Sequence, residues 1–134
     1  MKKRIFTVVT AVVMAILLLT LCGCDNYTSK YSATGLIQTN TSKNASMSFS
    51  SFKGTMVFKL KCGSEDEKIN YSAKLESGSA TVYYDCNGEK TQLFSVNSGD
   101  DITEVGGVLQ AGTVYIIIEA SESVQNGRFS FEVK

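Results

Sequence analysis

Histidine is absent from the 134 residues, and that absence narrows every chemical possibility. No Ser-His-Asp or Cys-His set can be assembled, and the imidazole ligands of most zinc and copper sites are missing. Catalysis would fall to carboxylate, lysine, tyrosine, serine or cysteine. Four groups of residues carry chemistry worth weighing. Cys62 and Cys86 could close a disulfide. Glu65-Asp66-Glu67, and Asp100-Asp101 with Glu104, could offer oxygens to calcium. Two of the 13 acids, held about 5–10 Å apart across a cleft, could hydrolyse a glycosidic bond. Lys59, Lys61, Lys74 and Tyr83 could form a polar and aromatic binding face.

Strands must position these residues. Met56, Phe58, Leu60 and Cys62 alternate with Val57, Lys59 and Lys61, and Ile69, Tyr71, Ala73 and Leu75 alternate with Asn70, Ser72, Lys74 and Glu76. Successive strand side chains point to opposite faces, so both runs predict half-buried strands, over 55–62 and 68–76. Ala80, Val82, Tyr84 and Cys86 form a third apolar face over 79–86, opposite Thr81, Tyr83 and Asp85. Leu93, Phe94 and Val96 predict a short irregular strand, and Phe129, Phe131 and Val133 a regular closing one. Val114-Tyr115-Ile116-Ile117-Ile118 is apolar on both faces and is expected at the centre. Glu76-Ser77-Gly78-Ser79, Asn87-Gly88 and Asn126-Gly127 read as hairpin turns. Strands recur about every ten residues with no helical stripe, which predicts an all-β fold, a single small antiparallel β-sandwich over 46–134.

That frame weighs the four groups. If 55–62, 68–76 and 79–86 run up, down and up in one sheet, Cys62 and Cys86 end two strand spacings apart. That is about 9.5 Å, too far for a disulfide. A sandwich that brings the two strands together permits the bond, and two buried thiols are the alternative. No metal is expected, because two sulfurs without histidine make half a zinc site. The acidic runs lack the alternating Asp/Asn spacing of a calcium loop and read as solvated turns. So small a domain has little room for a catalytic cleft, and no cofactor is implied. The lysines occupy solvent-facing strand positions, and the absence of Trp weakens the usual sugar-stacking platform.

The charge balance hides a division of the chain. Lys2, Lys3 and Arg4 precede an apolar run, Ile5 to Leu21, broken only by Thr7, Thr10 and Thr20. A cationic start and an apolar core predict an export signal that is removed after use, and an uncleaved transmembrane helix is the alternative, for which the run from Ile5 to Leu21 is at the lower limit of length. Without residues 1–23 the chain keeps 10 Lys/Arg against 13 Asp/Glu, a net charge of −3. A nucleic-acid partner is disfavoured, since such proteins need a basic stripe. Residues 24–45 are rich in Asn, Thr, Ser and Lys, a composition that predicts a flexible linker. Some twenty residues of coil would hold a domain about 25 Å from its anchor, and Tyr27 and Tyr31 would lie near lipid headgroups.

The signal ends Leu21-Cys22-Gly23-Cys24-Asp25. This resembles the lipobox of bacterial lipoproteins, in which a Leu and a small residue precede the Cys that receives the lipid. Cys24 fits the pattern, with Gly23 before it, whereas Cys22 would place the bulky Leu21 at the small-residue position. The resemblance implies a diacylglycerol thioether on Cys24 and a cell-membrane location on the extracytoplasmic face. Two or three acyl chains, at ~0.8 kcal/mol per buried methylene, would hold such a protein firmly. Asp25 would resemble an inner-membrane retention signal in an enteric-type diderm host.

A second resemblance lies in the domain. Gly107-Val108-Leu109-Gln110-Ala111-Gly112-Thr113-Val114-Tyr115-Ile116 followed by Asn126-Gly127-Arg128-Phe129-Ser130-Phe131-Glu132-Val133 is similar to the closing hairpin of jelly-roll-like sandwiches, such as bacterial pre-peptidase C-terminal and CUB-like domains. It implies a jelly-roll-like fold and no particular function. The expectation is a lipid-anchored, non-catalytic binding or accessory module whose partners are the membrane and an unknown protein or envelope polymer. A purely structural envelope lipoprotein and a small carboxylate-dependent glycoside hydrolase are the alternatives.

Overall fold

The computed structural model describes residues 27–134, and the export signal, Cys24 and Asp25 lie outside them. The strands are β1 Lys30–Thr34, β2 Ile37–Asn40, β3 Asn44–Cys62, β4 Ile69–Ser77, β5 Ser79–Asp85, β6 Thr91–Asn97, β7 Asp101–Gly106 and β8 Gly112–Val133. Every pairing is antiparallel. No helix occurs among the described residues.

Two long strands organise the rest. β3 and β8 pair from Asn44 opposite Glu132 to Cys62 opposite Gly112, and both bend at the same place. Val124 faces Phe52 and Ala120 faces Gly54, so residues 121–123 bulge opposite the single residue Lys53. Gly54 takes φ 117° at this corner, and a Cβ there would strike the Lys30 carbonyl oxygen. The bend folds one hydrogen-bonded sheet into two facing layers, with β3 and β8 common to both. The first layer is β2, residues 44–52 of β3, residues 124–133 of β8, β4 and β7. In the second, residues 54–62 of β3 and 112–120 of β8 are followed by β5 and β6. β1 runs along the corner beside residues 51–55 of β3.

The core fills the space between the layers. Phe129, Phe131, Leu75 and Ile69 from the first and Leu60, Val82, Ile116 and Ile118 from the second are all inaccessible to solvent. Burial of each such side chain stabilises the fold by about 1.5–3 kcal/mol. Leu109, from the loop between β7 and β8, closes one end of this core.

The all-β antiparallel sandwich expected from the alternation is present, and the strand holding residues 114–118 is central, flanked by β3 and β5. Several local expectations are corrected. Within the expected flexible linker, 24–45, lie β1, β2 and the start of β3, so the sandwich begins before residue 46. β1 and β2 are polar because they are edge strands that gain backbone hydrogen bonds from β3 while burying little. Glu76-Ser77-Gly78-Ser79 is not a hairpin turn: β4 pairs with the second half of β8 and β5 with its first half, so Gly78 carries the chain between layers. Asn126-Gly127 is not a turn either, and the expected closing hairpin is the single bent strand β8. Gly127 lies beneath Phe49, and a Cβ added there would come within 2.5 Å of the Phe49 ring.

Candidate binding surface

Two outer faces are available. On the second layer, alternation turns Met56, Phe58 and Leu60 inward and Val57, Lys59 and Lys61 outward. Cross-strand register then sets Lys59 beside Tyr115 and Tyr115 beside Asp85, and the next row is Val57, Ile117, Tyr83 and Gln92. Lys59 Nζ lies 5.7 Å from the Tyr115 ring centre, and Lys90 Nζ lies 4.4 Å above the Tyr83 ring. Lys90 also pairs with Glu119 at 2.7 Å. Of the expected binding residues, the fold thus unites Lys59, Lys61 and Tyr83. Lys74 belongs elsewhere: it sits on β4 between Asp101 and Arg128, on the outer face of the opposite layer.

Tyr27 and Asp85 complete this second-layer face. The Tyr27 hydroxyl donates to Asp85 Oδ2 at 2.6 Å, and its ring tilts against Tyr115 at 5.4 Å. Asp85 is 3% exposed, and its Oδ1 accepts from the Asn87 and Gly88 backbone N–H groups at 3.1 and 2.7 Å. Burial and the adjacent Asp85 carboxylate push the Tyr27 phenol up to about 12. Two residues later, Ser29 Oγ accepts from the Val57 N–H at 2.9 Å. Tyr31 stacks on Phe52 at 5.6 Å. Both tyrosines therefore pack on the sandwich. Neither belongs to the core; Tyr31 is placed by the pairing of β1 with β3 and Tyr27 by its contacts with Asp85 and Tyr115, and nothing local in the sequence marks either contact.

The outer face of the first layer is built differently. Thr103 on β7, Ser72 on β4, Ser130 on β8, Ser46 on β3 and Thr39 on β2 lie side by side in one cross-strand row. At 4.7–4.9 Å per strand the row extends about 19 Å. Thr39 Oγ1 and Ser46 Oγ are 2.7 Å apart and share a hydrogen bond. On one side runs Val105, Asn70, Glu132 and Asn44, and on the other Asp101, Lys74, Arg128 and Ser48. An open groove of about 270 Å³ runs over Asn70, Ser72, Thr103, Ser130 and Glu132. Glu104 also borders it, accepting from the Tyr71 hydroxyl at 3.1 Å. The serines of alternating strands are ordinary in sequence, so no motif singles out this row; only register aligns them.

The remaining candidates separate. Cys62 and Cys86 are free thiols on opposite sides of β8, which lies between β3 and β5. The intervening strand is β8 rather than the expected 68–76, and the two-spacing separation of about 9.5 Å rules out the bond. Cys62 donates to the Ser64 carbonyl at 2.9 Å, and burial raises its thiol. Cys86 donates to the Val108 carbonyl at 3.5 Å. In the acidic turns, Lys43 at 2.9 Å and the Gly63 N–H hold Glu67 below the usual carboxylate range. Asp100 accepts from the Asn97 N–H at 2.7 Å. Among the described residues no three of His, Cys, Asp and Glu converge as metal ligands.

No protein-family model matches the chain, and no curated protein matches it in sequence. Solved structures with a similar course of chain include the EutQ protein of Clostridium difficile, 11% identical with TM-score 0.37. That match covers 80% of this chain and 65% of that one. A mutant family 29 carbohydrate-binding module in complex with mannohexaose is 11% identical, with TM-score 0.42, over 80% of this chain and 91% of that one. A cupin domain from Bordetella pertussis is 11% identical, with TM-score 0.36, over 77% of this chain and 97% of that one.

Proposed function

We propose that the chain is a lipid-anchored protein on the extracytoplasmic face of a bacterial cell membrane, moored through Cys24, whose sandwich binds an envelope polymer without transforming it. The anchor rests on Leu21-Cys22-Gly23-Cys24 behind a cationic and apolar leader. The binding rests on one observation, the row Thr103, Ser72, Ser130, Ser46 and Thr39 across the first layer. Each hydroxyl both donates and accepts, so the row suits a partner whose own hydroxyl or amide groups repeat along its length. A single hydrogen bond contributes only about 0.5–1.5 kcal/mol, and several in register give useful affinity. The groove is open, so a chain can lie through it, unlike the enclosed pockets that hold small ligands.

The test is cosedimentation of the full-length protein with isolated, insoluble cell-wall polymer. Retention is expected, and Ser72→Leu combined with Ser130→Leu should weaken it about tenfold while thermal unfolding stays close to that of the parent. A folded parent that remains in the supernatant with every envelope polymer tried would remove the binding role and leave a structural one.

A further inference from the structure

We infer that the second layer's outer face, which carries Lys59 and Lys61, is turned onto the anionic surface of the membrane. Tyr27 acts as the clip that fixes this orientation. The inference rests on the proposed lipidation of Cys24 and goes beyond it, since an anchor alone leaves the domain free to face any way.

The geometry begins at the clip. Tyr27 crosses onto this face, with its hydroxyl on Asp85 and its ring against Tyr115, while Ser29 is held by the Val57 N–H. Tyr27 follows Cys24 by three residues. Three residues of fully extended chain reach roughly 11 Å at most. The expected spacer of about 25 Å is therefore replaced by a short leash attached to one particular face. Whatever lipid Cys24 bears would then enter the bilayer within about 11 Å of Tyr27.

Charge agrees with that placement. Without residues 1–23 the chain is net negative, yet Lys30, Lys59, Lys61 and Lys90 all lie on this face or at its rim. The acids on its strands are engaged, Asp85 by Tyr27 and two backbone N–H groups and Glu119 by Lys90, while Glu89 in the turn beside Lys90 is exposed without an ion-pair partner among the described residues. Lys59 and Lys61 are exposed and have no ion-pair partner among the described residues. Two unengaged ammonium groups beside tyrosine rings match the headgroup layer of an anionic bilayer, where lysines gain electrostatically and aromatic rings settle at the interface. The first layer's face offers no such excess, since Lys74 and Arg128 sit among Asp101, Glu76 and Glu132.

Lys74 supplies an internal control. The full lipidated chain is reconstituted on vesicles of phosphatidylglycerol and phosphatidylcholine, treated briefly with a water-soluble amine-acylating reagent, and read lysine by lysine by mass spectrometry. Modification of Lys59 and Lys61 should slow about fivefold relative to the same protein in neutral detergent, while Lys74 keeps its rate. High salt, or Tyr27→Phe, should remove most of that protection without altering the fold. Equal rates at all three lysines on vesicles would overturn the inference. So would protection of Lys59 and Lys61 in detergent alone, which would mean that a second copy of the chain covers the face. The mass of the Cys24 peptide from the same sample separates the two claims: an unacylated peptide defeats the anchor, whereas an acylated one without lysine protection defeats only the orientation.

Discussion

The rings of Tyr71 and Phe94 are stacked in parallel, with an interplanar angle of 1° and centroids 4.4 Å apart, one from each layer of the sandwich. Phe94 also approaches Phe129 and Phe131 at 6.5 and 6.3 Å, so it ties β6 to the strands facing it. Phe94→Ala should destabilise the domain by about 3–5 kcal/mol in urea unfolding. Tyr71→Phe keeps the ring and loses only the hydroxyl contact with Glu104, and should cost about 1 kcal/mol. If both substitutions cost the same, the stacking does not join the layers.

Gly127 gives a second stability test. A methyl group there would press on the Phe49 ring and the Leu75 side chain, at 2.5 and 2.9 Å. Gly127→Ala should therefore lower stability by about 1–3 kcal/mol through overpacking. A neutral result in thermal unfolding would show that Phe49 moves aside freely.

The cysteines should differ in reactivity. Cys62 is buried and its thiol is raised, which lowers the thiolate fraction, whereas Cys86 is only half-buried. At neutral pH native Cys86 should be alkylated about tenfold or more faster than Cys62, with both reacting equally in denaturant. Intact mass should show both reduced. A mass lower by two hydrogens would mean a bridge and would displace β8 from its place between β3 and β5.

The Tyr27 clip should open in alkali. Its phenol is raised from 10 to about 12, so the folded state favours the neutral form. The hydroxyl's contribution is complete below pH 10 and is lost as pH rises through about 12. Near neutrality the parent should exceed Tyr27→Phe by about 1–2 kcal/mol, with the two melting curves converging in alkali. A gap that is constant up to pH 12 would sever the phenol from the effect.

Residue alternation was enough to find β4, β5 and the outward placement of Lys59 and Lys61, because each of those strands has one wet face and one dry one. It could not find β1 and β2, whose side chains are mostly exposed on both faces and whose order comes from the backbone of β3. Turn chemistry is misleading at Asn126-Gly127, since a glycine that favours a turn can also be demanded by a neighbouring ring, here Phe49 over Gly127. The hydroxyl row was invisible for another reason. Thr39, Ser46, Ser72, Thr103 and Ser130 are far apart along the chain, and registration between strands is a property of the whole sheet. Lys74 was grouped with Lys59 by chemistry alone, and the crossing at Gly78 put it on the far side.

The sharing of β3 and β8 by both layers has a kinetic consequence. β3 and β4 wait for residues 112–133 before most of their backbone partners are in place, whereas β5 can pair with β6 beforehand. A chain emerging amino end first would thus leave its two layers unjoined until its last strand arrived. Pairing between partners so distant in order is slow, and since the sequence contains no proline, isomerisation about X-Pro bonds would not mask it. Lateness of this kind would keep a polypeptide threadable through a narrow pore, and would leave truncations within β8 without a folded remnant.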